Sequence, residues 1–329
     1  MRFGVIGAGR IGKVHAGNIA RRSDAKVAFV ADADTAAAAS LAASSGGKVA
    51  TIEAILASKE VDAVAICAPT DMHADLIMQA AKAGKAIFCE KPVDLDSARI
   101  RECLKVVEKA GVTLMIGFNR RFDPNFAAVK ARISAGAVGA VEIINIMSRD
   151  PSPPPVSYIG RSGGLFRDMM IHDIDMARFL LDEDAIAVTA VGSSLVDPEI
   201  GKAGDCDTAA VLLETKSGRI AQISNSRRAT YGYDQRIEVH GAKGMIRAGN
   251  QHETTVELAT STGFAIDPVQ NFFLERYDLA YRLELDAFIS AVTKGTKPAP
   301  SGLDGLHAQL VADAATLSWK EKRRVEIGY

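Results

Sequence analysis

The chain is poor in cysteine. Only Cys67, Cys89, Cys103 and Cys206 occur among 329 residues, and no two of them form a Cys-x-x-Cys pair. That spacing argues against a zinc site built on thiolates and against a disulfide framework. It leaves the expectation of no metal and of free thiols in a reducing cytosol. Net charge is as scarce, −1 at pH 7, and no basic stripe runs through the sequence. Nucleic acid is therefore excluded as an expected partner. No uncharged apolar run is long enough to span a bilayer, which excludes a membrane role. The sequence enters a strand-like run at Phe3. No signal peptide fits before it, so a cytoplasmic location is expected.

What is present is ordinary globular material, 48% hydrophobic and 24% charged, in a length suited to about two domains. Up to residue 118, short apolar runs alternate with helical stretches rich in Ala, Lys and Glu. The runs are Phe3–Ile6, Val27–Ala31, Ala63–Cys67, Ala86–Cys89 and Thr113–Gly117. This rhythm predicts an α/β domain of the Rossmann kind, a parallel sheet with helices on both faces. Its first turn is Gly7-Ala8-Gly9-Arg10-Ile11-Gly12. The turn follows a strand, opens a helix and precedes Asp32 by about twenty residues, which is the full context of a dinucleotide fingerprint. The glycines let backbone N–H groups approach a pyrophosphate at the helix N-terminus. Asp32 would accept hydrogen bonds from the adenosine ribose and repel a 2′-phosphate. With Ala33 after it rather than a cation, NAD is favoured over NADP, although Arg10 lies close enough to weaken the preference.

Two further strand ends carry candidate ligand groups, because the carboxyl ends of strands face the ligand in such a sheet. One is Cys67-Ala68-Pro69-Thr70-Asp71-Met72-His73, where Ala68, Thr70 and His73 become candidate neighbours of the cofactor. The other is Glu90-Lys91-Pro92. An ammonium there can hydrogen-bond a hydroxyl oxygen that becomes a carbonyl oxygen.

From residue 119 the pattern changes. Phe126–Ala135 reads as a helix, Arg149–Pro155 as a break and Tyr158–Gly164 as a loop. Strand-like runs follow at 139–147, 187–195, 208–214, 220–227, 235–240, 245–248 and 254–258, with a last short one at 325–327. They predict an α+β domain with a largely antiparallel, open-faced sheet. Within it, Gly163-Gly164-Leu165-Phe166-Arg167-Asp168-Met169-Met170-Ile171-His172 is dense in chemistry. Read as one helix from Asp168 onward, it places Asp168 and His172 on one face, a carboxylate and an imidazole suited to proton transfer. Tyr231 and Tyr233 are read as alternating strand positions on a shared face.

Taken together, Glu90-Lys91-Pro92, the glycine turn, Gly117-Phe118-Asn119-Arg120-Arg121-Phe122-Asp123 and Asp168-x-x-x-His172 resemble the glucose–fructose oxidoreductase/inositol dehydrogenase/MocA family over essentially the whole chain. The likeness is greatest to its inositol-oxidising branch, on Arg120-Arg121-Phe122-Asp123, Tyr231-Gly232-Tyr233-Asp234 and the helical stretch from Phe273 to Glu284. Asn119 stands where many members with that activity have Met. The resemblance implies residues 1–118 as an NAD-binding domain. It implies residues 119–329 as a substrate-binding and oligomerisation domain whose last helices pack back on the first. Lys91, Asp168 and His172 match the family's catalytic positions, and Glu90 falls beside the cofactor. Asn119, Arg120 and Tyr233 match substrate-facing segments. The implied activity is metal-free, NAD-dependent oxidation of myo-inositol to its 2-keto derivative, in a homo-oligomer with a tetramer favoured. Oxidation of another inositol isomer or an aldose remains open, as does a non-catalytic NAD-binding regulator.

Overall fold

A computed structural model describes the whole chain, residues 1–329. It divides into two compact units, Met1–Asn119 with Tyr281–Gln309, and Arg120–Ala280 with Leu310–Tyr329. No helix is long and apolar enough to cross a membrane.

In the first unit strands and helices alternate: β1 (Arg2–Ile6), α1 (Arg10–Ala20), β2 (Lys26–Ala31), α2 (Thr35–Ser45), β3 (Lys48–Val49), α3 (Ile52–Ala57), β4 (Ala63–Ile66), α4 (His73–Lys82), β5 (Ala86–Glu90), α5 (Ser97–Ala110) and β6 (Leu114–Gly117). The six strands form one parallel sheet in the order β3-β2-β1-β4-β5-β6. Every residue of β4, β5 and β6 is buried. Helices cover both faces of such a sheet, so these strands read as continuous apolar runs rather than alternations. Phe288 seals the core, its ring centroid 6.0 Å from Phe3 and 5.8 Å from Phe88. The strand order reverses between β1 and β4. The crevice outside their carboxyl ends is where a doubly wound sheet takes its ligand. The two-residue β3 was not expected; both its residues are exposed, and so short a strand leaves no pattern.

The second unit continues with α6 (Pro124–Ser134), β7 (Val141–Arg149), α7 (Val156–Ser162), α8 (Gly164–Asp168), α9 (Ile171–Leu181), β8 (Ala185–Ser193), α10 (Pro198–Lys202), β9 (Thr208–Thr215), β10 (Ile220–Ser226), β11 (Asp234–Gly241), β12 (Gly244–Ala248), β13 (Glu257–Thr260), β14 (Gly263–Ile266) and α11 (Phe273–Arg276). The chain then runs through α12 (Asp278–Lys294), α13 (Gly302–Glu321) and β15 (Val325–Glu326). Seven strands make a sheet in the order β12-β11-β7-β10-β9-β8-β15, antiparallel except for β7 beside β10. Alternate residues such as Ile144, Ile146, Val211, Leu213, Ala221 and Ile223 are buried, and α9 packs on β7 and β10. The register puts Ile143, Val191, Leu212, Ile220 and Met245, all exposed, together on the other face.

Three local expectations fail here. The stretch from Tyr158 is helical, as α7, rather than a loop. The helix expected from Asp168 is broken: α8 ends at Asp168 and α9 begins at Ile171. Met169 and Met170 form the turn between them, both donating their N–H to the Leu165 carbonyl, at 3.1 and 2.9 Å. Their apolar side chains sustained the helical pattern, and nothing in it signals the break. Tyr231 and Tyr233 precede β11 in a loop, so the shared-face inference lapses. Gly232 turns that loop at φ +117°, where a Cβ would lie 2.7 Å from the Val269 carbonyl oxygen.

Candidate active site

The glycine turn in the first unit is built for close approach. Gly7 has φ +107°, and a Cβ on it would lie 2.4 Å from the Cys67 carbonyl oxygen. A Cβ on Gly12 would lie 2.0 Å from the Gly7 carbonyl oxygen. Gly9 differs, because a Cβ there meets no protein atom within 4 Å. Helices α2, α5 and α6 each begin on an aspartate whose carboxylate accepts first-turn N–H groups. Helix α1 begins on Gly9 with no side-chain cap. An uncapped N-terminus facing open space is a ready anion site, and it fits a pyrophosphate. Asp32 follows β2; its carboxylate accepts the Ala8 N–H at 2.6 Å and the Asp34 N–H at 2.8 Å. It braces the glycine turn while staying partly exposed, as a ribose ligand must. Arg10 is exposed, and Ile11, Ala68 and Thr70 are half-buried.

Two expected cofactor neighbours have other tasks. His73 is 1% exposed. Its Nδ1 lies 2.7 Å from the Pro92 carbonyl oxygen and its Nε2 2.7 Å from that of Ala68. Both nitrogens are thus engaged by backbone, and burial pushes the imidazole below its usual range, opposed by these two carbonyls. Glu90 is buried, with Oε1 2.7 Å from Nε2 of the buried His15. Both side chains are engaged within the protein. Between Glu90 and Pro92, Lys91 is half-buried.

In the second unit, α8 is held on three sides. The Asp205 carboxylate accepts the Leu165 N–H, 3.1 Å from each oxygen. Phe166 lies 5.9 Å from Trp319, and Arg167 pairs with Asp313 at 2.6 Å. Gly163 and Gly164 adopt φ +86° and +83°. A Cβ on Gly164 would lie 2.7 Å from an Asp205 oxygen. Close approach to Asp205 is therefore what Gly164 serves. Helix α9 is clamped by the adjacent arginines. Arg120 binds Asp173, which also accepts from Asn225 at 2.9 Å, and Arg121 grips Asp175 with two bonds of 2.7 and 2.6 Å. From Leu165 to Ala177 only Arg167, Asp168 and His172 escape full burial. The clamps thus fix a backbone that presents Asp168 and His172.

Arg120 is itself only 5% exposed and also donates to Ser148 at 3.2 Å. Its guanidinium holds α9, a different task from the substrate contact the sequence suggested. Asn119 is buried as well, and Tyr233 stands edge-on to Tyr277 at 5.9 Å with burial raising its phenol. Sequence reasoning missed Tyr158, whose hydroxyl donates to Asp168 at 3.2 Å. It also missed Asp150, pushed up to about 6 by burial and by Asp168 and Asp173, against the pull of Arg227 and Arg120. The one available signal for the clamps was charge: two arginines, and two aspartates spaced i, i+2 beside the histidine.

An uncapped glycine turn at the switch point of a parallel sheet, with a braced aspartate on the neighbouring strand, defines a dinucleotide-binding protein. Residues 1–118 match the model of the oxidoreductase family with an NAD-binding Rossmann fold, and residues 126–247 match the GFO/IDH/MocA C-terminal domain. The chain belongs to the GFO/IDH/MocA family. It is 57% identical to an inositol 2-dehydrogenase of Rhizobium meliloti (strain 1021) over 99% of both chains. It is 47% identical to a myo-inositol 2-dehydrogenase of Thermotoga maritima over 99% of this chain and 98% of the other. The crystal structure of a myo-inositol dehydrogenase from Corynebacterium glutamicum ATCC 13032 superposes with a TM-score of 0.96 at 41% identity, covering 100% of this chain and 99% of that one.

Proposed function

We propose that this chain oxidises myo-inositol to its 2-keto derivative with NAD. The observation that carries this is the end-to-end similarity to two inositol 2-dehydrogenases; the catalytic roles are assigned to Lys91, Asp168 and His172 on the family resemblance of their motifs. NAD, when bound, supplies the hydride acceptor. The residues that fit its pyrophosphate and ribose are Gly7, Gly9, Gly12 and Asp32. His172 takes the hydroxyl proton as the alcohol carbon loses hydride. Lys91 donates a hydrogen bond to the same oxygen as it becomes a carbonyl. Asp168 orients a neighbouring substrate hydroxyl, with Tyr158 steadying the carboxylate.

The four cysteines are buried and free, with burial raising each thiol, and they suit a reducing cytoplasm. Two separate apolar surfaces support a homotetramer: the open face of the second unit's sheet, and the β13–β14 hairpin, where Phe264 is 84% exposed. Two distinct two-fold interfaces generate a closed tetramer.

The test is a panel of inositol isomers, aldoses and acyclic polyols with NAD and with NADP. NADH formation fastest with myo-inositol is expected. No turnover of any inositol, or turnover of an aldose alone, sinks the proposal.

A further inference from the structure

We propose that His15 and His73 are positioning residues for Lys91, each holding one end of the Glu90-Lys91-Pro92 segment. The proposal rests on the assignment of Lys91 to the reacting oxygen.

β5 delivers Glu90 into the interior. Its Oε1 lies 2.7 Å from Nε2 of His15 on α1, and both residues are buried. The carboxyl lies against Gly117 at the end of β6, where a Cβ would come within 3.0 Å of Oε2. With β6 on one side and His15 on the other, the residue before Lys91 has one place to go. Two residues later the Pro92 carbonyl meets Nδ1 of His73 at 2.7 Å, and the other ring nitrogen meets the Ala68 carbonyl at the same distance. His73 therefore ties the loop after β4 to the loop after β5.

Each histidine is 1% exposed, so neither reaches substrate or cofactor. Their effect on the reaction passes through the backbone on either side of Lys91. An ammonium that must meet an alcohol oxygen within hydrogen-bond reach gains from such bracing, because a misplacement of about 1 Å costs roughly a hundredfold in rate. A lysine on an unbraced loop end would spend much of its time elsewhere.

The experiment measures kcat and KM for myo-inositol, and Kd for NAD by calorimetry, in the full chain carrying His15→Leu or His73→Leu, alone and combined with Lys91→Ala. The expected result is a roughly tenfold to hundredfold loss of kcat for each leucine variant, with Kd for NAD within about threefold of the parent. In the Lys91→Ala background the same substitutions should change kcat by less than about threefold, because the group they position is gone. His15→Asn and His73→Gln keep an amide donor and should recover part of the lost kcat; they also stand in where a leucine variant does not fold. An undiminished kcat, a loss lying wholly in NAD affinity, an equal loss with Lys91 already removed, or no recovery by the amide variants would each overturn the proposal. Near-parental turnover by Lys91→Ala alone would overturn the role of Lys91 and this inference with it. An inactive Lys91→Ala beside fully active histidine variants would overturn the inference only.

Discussion

At the scale of single residues, three side chains are proposed to carry the chemistry. Lys91, Asp168 and His172 are half-buried, while His15, His73, Arg120 and Asp173 are buried and engaged with backbone or opposite charge. Lys91→Ala and His172→Ala are expected to lower kcat by about 10²–10⁴ with unchanged far-ultraviolet circular dichroism; steady-state kinetics on folded variants checks this. Asp32 is expected to set the cofactor choice. Its carboxylate is fixed by the Ala8 and Asp34 amides, so Asp32→Ser should weaken NAD and relax the exclusion of a 2′-phosphate. The ratio of kcat/KM for NAD to that for NADP should fall by at least about tenfold, the loss of one charge repulsion.

At the scale of elements, α8 and α9 show what the sequence reveals and what it hides. The parallel sheet, the glycine turn and the strand-end Glu90-Lys91-Pro92 were legible because local pattern and burial agree there. The break after Asp168 was not, because Met169 and Met170 are as apolar as a helix interior and the turn depends on Asp205, forty residues from the Leu165 amide it accepts. The buried roles of Glu90, His73 and Arg120 were hidden for a similar reason. A polar residue at a strand end looks the same in sequence whether it faces ligand or protein.

Arg120 gives a direct element-scale test. Removing one partner of a buried ion pair costs about 3–5 kcal/mol. Arg120→Ala should therefore lower the unfolding free energy by that order in urea titrations, through loss of the Asp173 clamp. A normal stability with a raised KM would instead mark Arg120 as a substrate ligand.

Asp150 gives a test by pH. Its carboxyl is pushed up to about 6, above its ordinary value, chiefly by burial, so the folded chain favours the protonated form. That contribution is fully present below the ordinary carboxylate range and is lost as pH rises through about 6. Asp150→Asn, which stays neutral, should gain stability over the parent as pH rises. The gap in urea-unfolding free energy should widen by roughly 1.4 kcal/mol, one pKa unit's worth, from about pH 5 to about pH 8. A gap that narrows over that range would contradict the burial assigned to this carboxyl.

At the scale of the whole molecule, the first unit carries the glycine turn and Lys91, and the second carries Asp168, His172 and an exposed apolar sheet face. That face and the β13–β14 hairpin are two exposed apolar surfaces on an otherwise well-buried fold, the kind of patch that marks an interaction site. The proposed tetramer predicts that Leu212→Glu, on the open face, shifts the mass measured by light scattering toward smaller species. A monomer in the parent chain would refute the assembly.

Hydride is predicted to leave carbon 2 of myo-inositol for NAD on this protein. This is tested most directly with myo-inositol deuterated only at carbon 2, following the label by mass spectrometry. Deuterium in the NADH and a 2-keto product with none at that carbon are predicted. Unlabelled NADH, or product that retains the deuterium, would contradict the account.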